Sequence, residues 1–126
     1  MLIPCEVASK TVLPAFRALV ANDLVEKHGM KQKQAAQLIG LSQSAISKYS
    51  NKVRGNTLTI ETQPGVQTLV DRMVNLLIHD PERKTEVLSL FCQACKLIRK
   101  NSLMCPTCKQ HEFSGEKEDC SFCKSL

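Results

Sequence analysis

Apolar side chains along the chain gather on three stripes of helical period. In the first, Phe16, Leu19, Val20 and Leu24 recur at the 3.6-residue spacing of one helix face. They predict a helix over 11–28. Thr11 can cap it, Pro14 is tolerated in its first turn, and Gly29 can close it. The second stripe is the most regular: Val66, Leu69, Val70, Met73, Val74 and Leu77 predict an amphipathic helix over 66–78. Asp80-Pro81 then reads as a cap followed by proline at a first helical position. The next helix is expected from Pro81 to about Arg99, with Val87, Leu88, Phe91, Cys95 and Ile98 on one face. The last two helices form an αα-hairpin, whose apolar stripe suits either completion of a bundle or pairing of two protomers.

Between these stripes the residues are smaller and the elements shorter. Lys31–Ile39 reads as a short helix making its contacts through Ala35, Ala36, Leu38 and Ile39. Ala36 is small where two helices must touch, and Gly40 stands where a tight turn needs positive φ. Ser42 is a good N-cap for a second short helix running to about Tyr49, with Ile46 on its inward face. That spacing is helix-turn-helix geometry, in which the second helix enters the major groove of DNA. Asn51, Gly55, Asn56, Pro64 and Gly65 are turn formers, and Leu58–Thr62 has the composition of a short strand. The expected fold is all-α. It is a helix-turn-helix bundle of about five helices, divided into a helix-turn-helix DNA-binding domain over 1–62 and a helical hairpin suited to dimerisation over 63–99, with a small Cys-rich metal-binding module over 100–126 that borrows Cys92 and Cys95 from the preceding helix.

Charge sharpens this picture. The net charge is +5, and residues 1–55 carry eight Lys and Arg against three carboxylates. Residues 56–91 carry three against five, and residues 92–126 six against four. The positive excess thus lies with the helix-turn-helix pattern, as a polyanionic partner requires. No apolar run is long enough to span a bilayer, and no signal segment opens the chain, so a cytoplasmic protein is expected.

Base readout needs side chains that donate and accept. Gln43, Ser44, Ser47 and Lys48 are the candidates, with Ser42 at the head of the same helix. Gln32 begins the preceding helix and offers its amide to the phosphate backbone. Tyr49, Lys52 and Arg54 follow the reading helix and suit phosphate contact.

Residues 30–55 resemble the helix-turn-helix of the lambda-repressor or Xre class. Gln32 and Gln43 stand eleven apart with Ser44 after the second, as in the phage repressors. The resemblance implies that Gln32 braces Gln43 while touching phosphate, and that Gln43 reads a base. A wider likeness reaches about the first hundred residues. Pro4-Cys5-Glu6, Val12 to Leu19 and Ala45 to Tyr49 are similar to a group of small archaeal predicted transcriptional regulators. Those also carry a C-x-x-C after a helical segment, matched here by Cys92 to Arg99 and by Cys105; their pattern often ends in His, where this chain has Cys108, and the pair Cys120 and Cys123 is an extra.

Seven cysteines, six of them in the pairs Cys92/Cys95, Cys105/Cys108 and Cys120/Cys123, set the remaining chemistry. An odd count without a secretion signal argues against a disulfide framework. Cys92, Cys95, Cys105 and Cys108 offer four soft ligands, as tetrahedral zinc requires. An iron–sulfur cluster is the rival, with Cys5 a further ligand tying the N-terminus to the C-terminal region; Cys120, Cys123 and His111 are reserves. Nothing in the sequence separates zinc from iron–sulfur. A redox C-x-x-C would want a βαβ context, and no catalytic triad, carboxylate pair or phosphate loop occurs, so no enzyme is expected. The expectation is a homodimeric, metal- or redox-responsive regulator of transcription bound to double-stranded DNA. The alternatives are an adaptor that docks on the transcription machinery through a structural zinc site, and a redox protein.

Overall fold

The computed structural model describes residues 4–40, 42, 44, 60 and 63–101. Among them every regular element is a helix, in agreement with the all-α expectation: α1 (Pro4–Lys10), α2 (Val12–Asn22), a π-helical segment (Asp23–Lys27), α3 (Gln32–Ile39), α4 (Val66–His79) and α5 (Lys84–Lys100).

The first expected helix differs in three ways. It is preceded by α1, which periodicity did not mark because only Val7 and Ala8 carry its apolar face behind Pro4. Thr11 does not cap α2 with its side chain; its hydroxyl donates backwards to the Val7 carbonyl at 2.7 Å. After Asn22 the helix widens by one residue per turn, with His28 N–H donating to Asp23 O at 3.2 Å. Met30 N–H then donates to Leu24 O across Gly29, which ends the element where expected.

The α4 stripe is as read: Val66, Leu69, Val70, Met73, Val74 and Leu77 are all buried. Its N-cap Gly65 has φ 89°, and a Cβ there would come within 3.1 Å of Leu97 Cδ2. Helix α5 starts at Lys84 rather than Pro81. Arg83 N–H turns back to Asp80 O at 3.1 Å, so Pro81 and Glu82 form the turn instead of the first helical positions. Its buried face is also rotated from the expected one. Leu90, Ala94, Ile98 and Arg99 are buried, Val87, Phe91 and Cys95 only partly, and Leu88 is 64% exposed. The expected strand over 58–62 lies outside the described residues save Ile60, which is buried and not in a strand.

One core runs through these elements. Helices α4 and α5 pack on each other and both pack on α2, while α3 lies against α2, the π segment and α4. Phe16 sits fully buried at the α2–α5 contact, edge-on to Phe91 with ring centroids 5.6 Å apart and planes at 76°. Arg17 lays its guanidinium over the same Phe91 ring, 5.4 Å from the centroid.

Candidate nucleic-acid interface

Helix α3 is set by its two ends. At the start, extended Lys31 donates its N–H to Gln34 Oε1 at 3.2 Å, and its carbonyl accepts from Ala35 N–H at 3.0 Å. The first backbone N–H groups of a helix have no intrahelical partner and face outward with the positive end of its dipole. Gln32 occupies the first position and is half-buried, while Lys31, Lys33, Gln34 and Gln37 are exposed. The opposite side, Ala35 and Ala36, is buried. The helix is thus polar and cationic outside and methyl-sized inside.

At the other end the chain turns at Gly40, φ 78°, with its N–H donating to Ala36 O at 2.9 Å. A Cβ at Gly40 would meet nothing within 4 Å, so the backbone angle, not space, calls for glycine. Ser42 and Ser44 follow, exposed, with their hydroxyl oxygens 3.1 Å apart. Gln43, Ile46, Ser47, Lys48, Tyr49, Lys52 and Arg54 lie outside the described residues. The structure therefore places Gln32, Ser42 and Ser44 at the surface on either side of the Gly40 turn.

The π segment fastens this unit to the hairpin. Gln67, in the first turn of α4, donates to Asp23 Oδ2 at 3.2 Å and to Asp71 Oδ1 at 2.9 Å. Asp23 also pairs with Lys27 at 3.5 Å, one π turn further on. No periodic signal in the sequence marks Asp23 or Gln67, because their link depends on the packing of α2 against α4.

Residues 23–62 match the helix-turn-helix family model. The matched stretch opens at the π segment, contains α3 and Gly40, and extends over the proposed reading positions. No curated protein and no solved structure matches the chain. The helix-turn-helix match supports a DNA-binding transcription regulator. No described helix is long and apolar enough to cross a membrane.

The cysteines divide between described and undescribed residues. Cys92 is exposed and Cys95 half-buried, one turn apart on α5, and Cys5 is exposed on α1. Among the described residues no three His, Cys, Asp or Glu side chains come together to hold a metal ion. Cys105, Cys108, His111, Cys120 and Cys123 lie outside them. Cys5 does approach Cys95: Arg99 Nη1 lies 3.8 Å from Cys5 Sγ and 4.0 Å from Cys95 Sγ. Arg99 itself is 6% exposed, a buried cation that neither motif nor periodicity singles out.

Proposed function

We propose that the chain is a sequence-specific DNA-binding regulator of transcription. A homodimer sets residues 42–49 of each copy in successive major grooves of a two-fold operator. The observation that carries this reading is the helix-turn-helix match over 23–62. The αL turn at Gly40 and the exposed hydroxyls of Ser42 and Ser44 support it. Gln43 reads a base edge with Ser44, Ser47 and Lys48 beside it; Gln32, Tyr49, Lys52 and Arg54 hold phosphates. Binding measured on a selected operator and on unrelated duplexes across a salt series tests the assignment. Gln43→Ala should cost about 1–3 kcal/mol on the operator alone. Lys52→Ala should weaken both duplexes alike and lower the salt slope by about one. A Gln43→Ala variant with undiminished preference for the operator refutes the reading role.

Cys92 and Cys95 would bind a thiolate-ligated zinc ion or iron–sulfur cluster together with Cys105 and Cys108. What supports this is the repeated C-x-x-C spacing and the placement of Cys92 and Cys95 one turn apart with at least partial solvent access. Such a metal would fold the cysteine-rich end onto α5. Metal analysis with a visible spectrum of anaerobically purified protein separates the two: a colourless protein with stoichiometric zinc, or a broad iron–sulfur absorption. A metal-free protein refutes both.

A further inference from the structure

We infer that Gln67 is a positioning residue: its side-chain amide latches the π segment to α4 and so sets the angle at which the reading unit meets DNA. The inference rests on the DNA-binding reading above and adds to it a residue outside the helix-turn-helix match.

The latch is one amide between two carboxylates. Gln67 Nε2 donates to Asp23 Oδ2 at 3.2 Å and to Asp71 Oδ1 at 2.9 Å, which uses both of its hydrogens. The two acceptor oxygens are therefore no more than about 6 Å apart. Asp71 belongs to α4 itself, one turn after Gln67, whereas Asp23 opens the π segment 44 residues earlier. The Asp23 side chain is 15% exposed, and its other tie is the exposed Lys27 ammonium at 3.5 Å.

Beside this bond the two elements stand apart. A cleft of about 450 Å³ borders the same two aspartates, with Lys27 and His28 on one wall and Val74, Ile78 and His79 on the other. The main packing contacts of the π segment are with α2 and α3 instead. Its seat against α4 thus leans on the amide more than on apolar packing.

The place of the latch gives it leverage. The match begins at Asp23, so Gln67 ties the first matched residue to the hairpin. Between Asp23 and α3 the backbone leaves regular helix twice, at the π turn and at Gly29 with φ 63°. Such π turns occur mostly as single turns, often at functional sites. Without the amide, two like charges face each other across the gap, with Lys27 alone to offset them. Operator affinity scales with the fraction of molecules whose reading unit is already set. Binding to unrelated duplex is carried by phosphate contacts and depends less on that angle.

The test compares the full wild-type chain with Gln67→Ala, Gln67→Glu and a control, Asn75→Ala, which alters the cleft but not the latch. Alanine keeps the net charge and favours helix. Glutamate keeps the shape but has no donor. Amide hydrogen exchange over residues 24–40 should quicken about threefold or more in Gln67→Ala, with α5 unchanged, and stay at the wild-type rate in Asn75→Ala. Preference for a selected operator over unrelated duplex should fall about three- to tenfold in Gln67→Ala, as expected for lost hydrogen bonds to charged acceptors at a partly exposed site. The salt slope should not change, because Gln67 holds no phosphate. Gln67→Glu should lose at least as much preference as Gln67→Ala. Unchanged exchange in Gln67→Ala, or wild-type behaviour in Gln67→Glu, overturns the latch. Faster exchange with undiminished operator preference overturns the positioning role and leaves the DNA-binding reading standing. A wild type without preference for any duplex overturns that reading and the positioning role together.

Discussion

Replacing Gly40 by alanine isolates the backbone requirement of the turn. A Cβ at that position meets no atom within 4 Å, so the substitution adds no clash. What remains is the cost of holding an L-residue at φ 78°, about 1–2 kcal/mol. Alanine also restricts the unfolded chain, which returns about 0.4–1 kcal/mol. The net is a loss of about 1 kcal/mol, or roughly 3–5 °C in Tm for a chain of this length. Asparagine visits the left-handed region more readily, so Gly40→Asn should lose less than Gly40→Ala. Gly65→Ala is the contrasting case: φ is 89° and the new methyl presses on Leu97 at 3.1 Å, so its loss should exceed that of Gly40→Ala. Urea unfolding followed by far-UV circular dichroism measures all three. A Gly40→Ala protein as stable as wild type, or an asparagine variant less stable than the alanine one, refutes the argument that φ alone demands glycine.

The core makes sharper demands. Phe16→Ala removes a fully buried ring and its edge contact with Phe91, and should cost about 3–5 kcal/mol in the same unfolding experiment. Leu88→Ser should change stability by less than about 0.5 kcal/mol, since the side chain is 64% exposed; a loss like that of Phe16→Ala would show that the α5 face is assigned wrongly.

Periodicity recovered the elements whose apolar residues have one way to face. The six-residue stripe of α4 is buried as read, because no other face of that helix carries comparable apolar surface. Helix α3 and its Gly40 turn were legible from small residues and one glycine. Helix α5 was not, for it carries apolar residues on two adjacent faces. Val87, Phe91 and Cys95 compete with Leu90 and Ala94, and packing against α4 and α2 decides. The π segment has no sequence signature, since its i→i+5 bonds arise from how α2 meets its neighbours. At the candidate interface, the sequence named Gln32, Ser42 and Ser44, which lie at the surface, but not the Asp23–Gln67 link or Arg99 between two thiols. Those depend on residues far apart in the chain meeting in space.

The apolar stripe of α4 is buried inside a single copy of the chain, against α2 and α5. The proposed pairing of two copies on a palindrome would then draw on surface other than the α4 stripe. In such a pair the separation of the copies would fix the spacing of the half-sites.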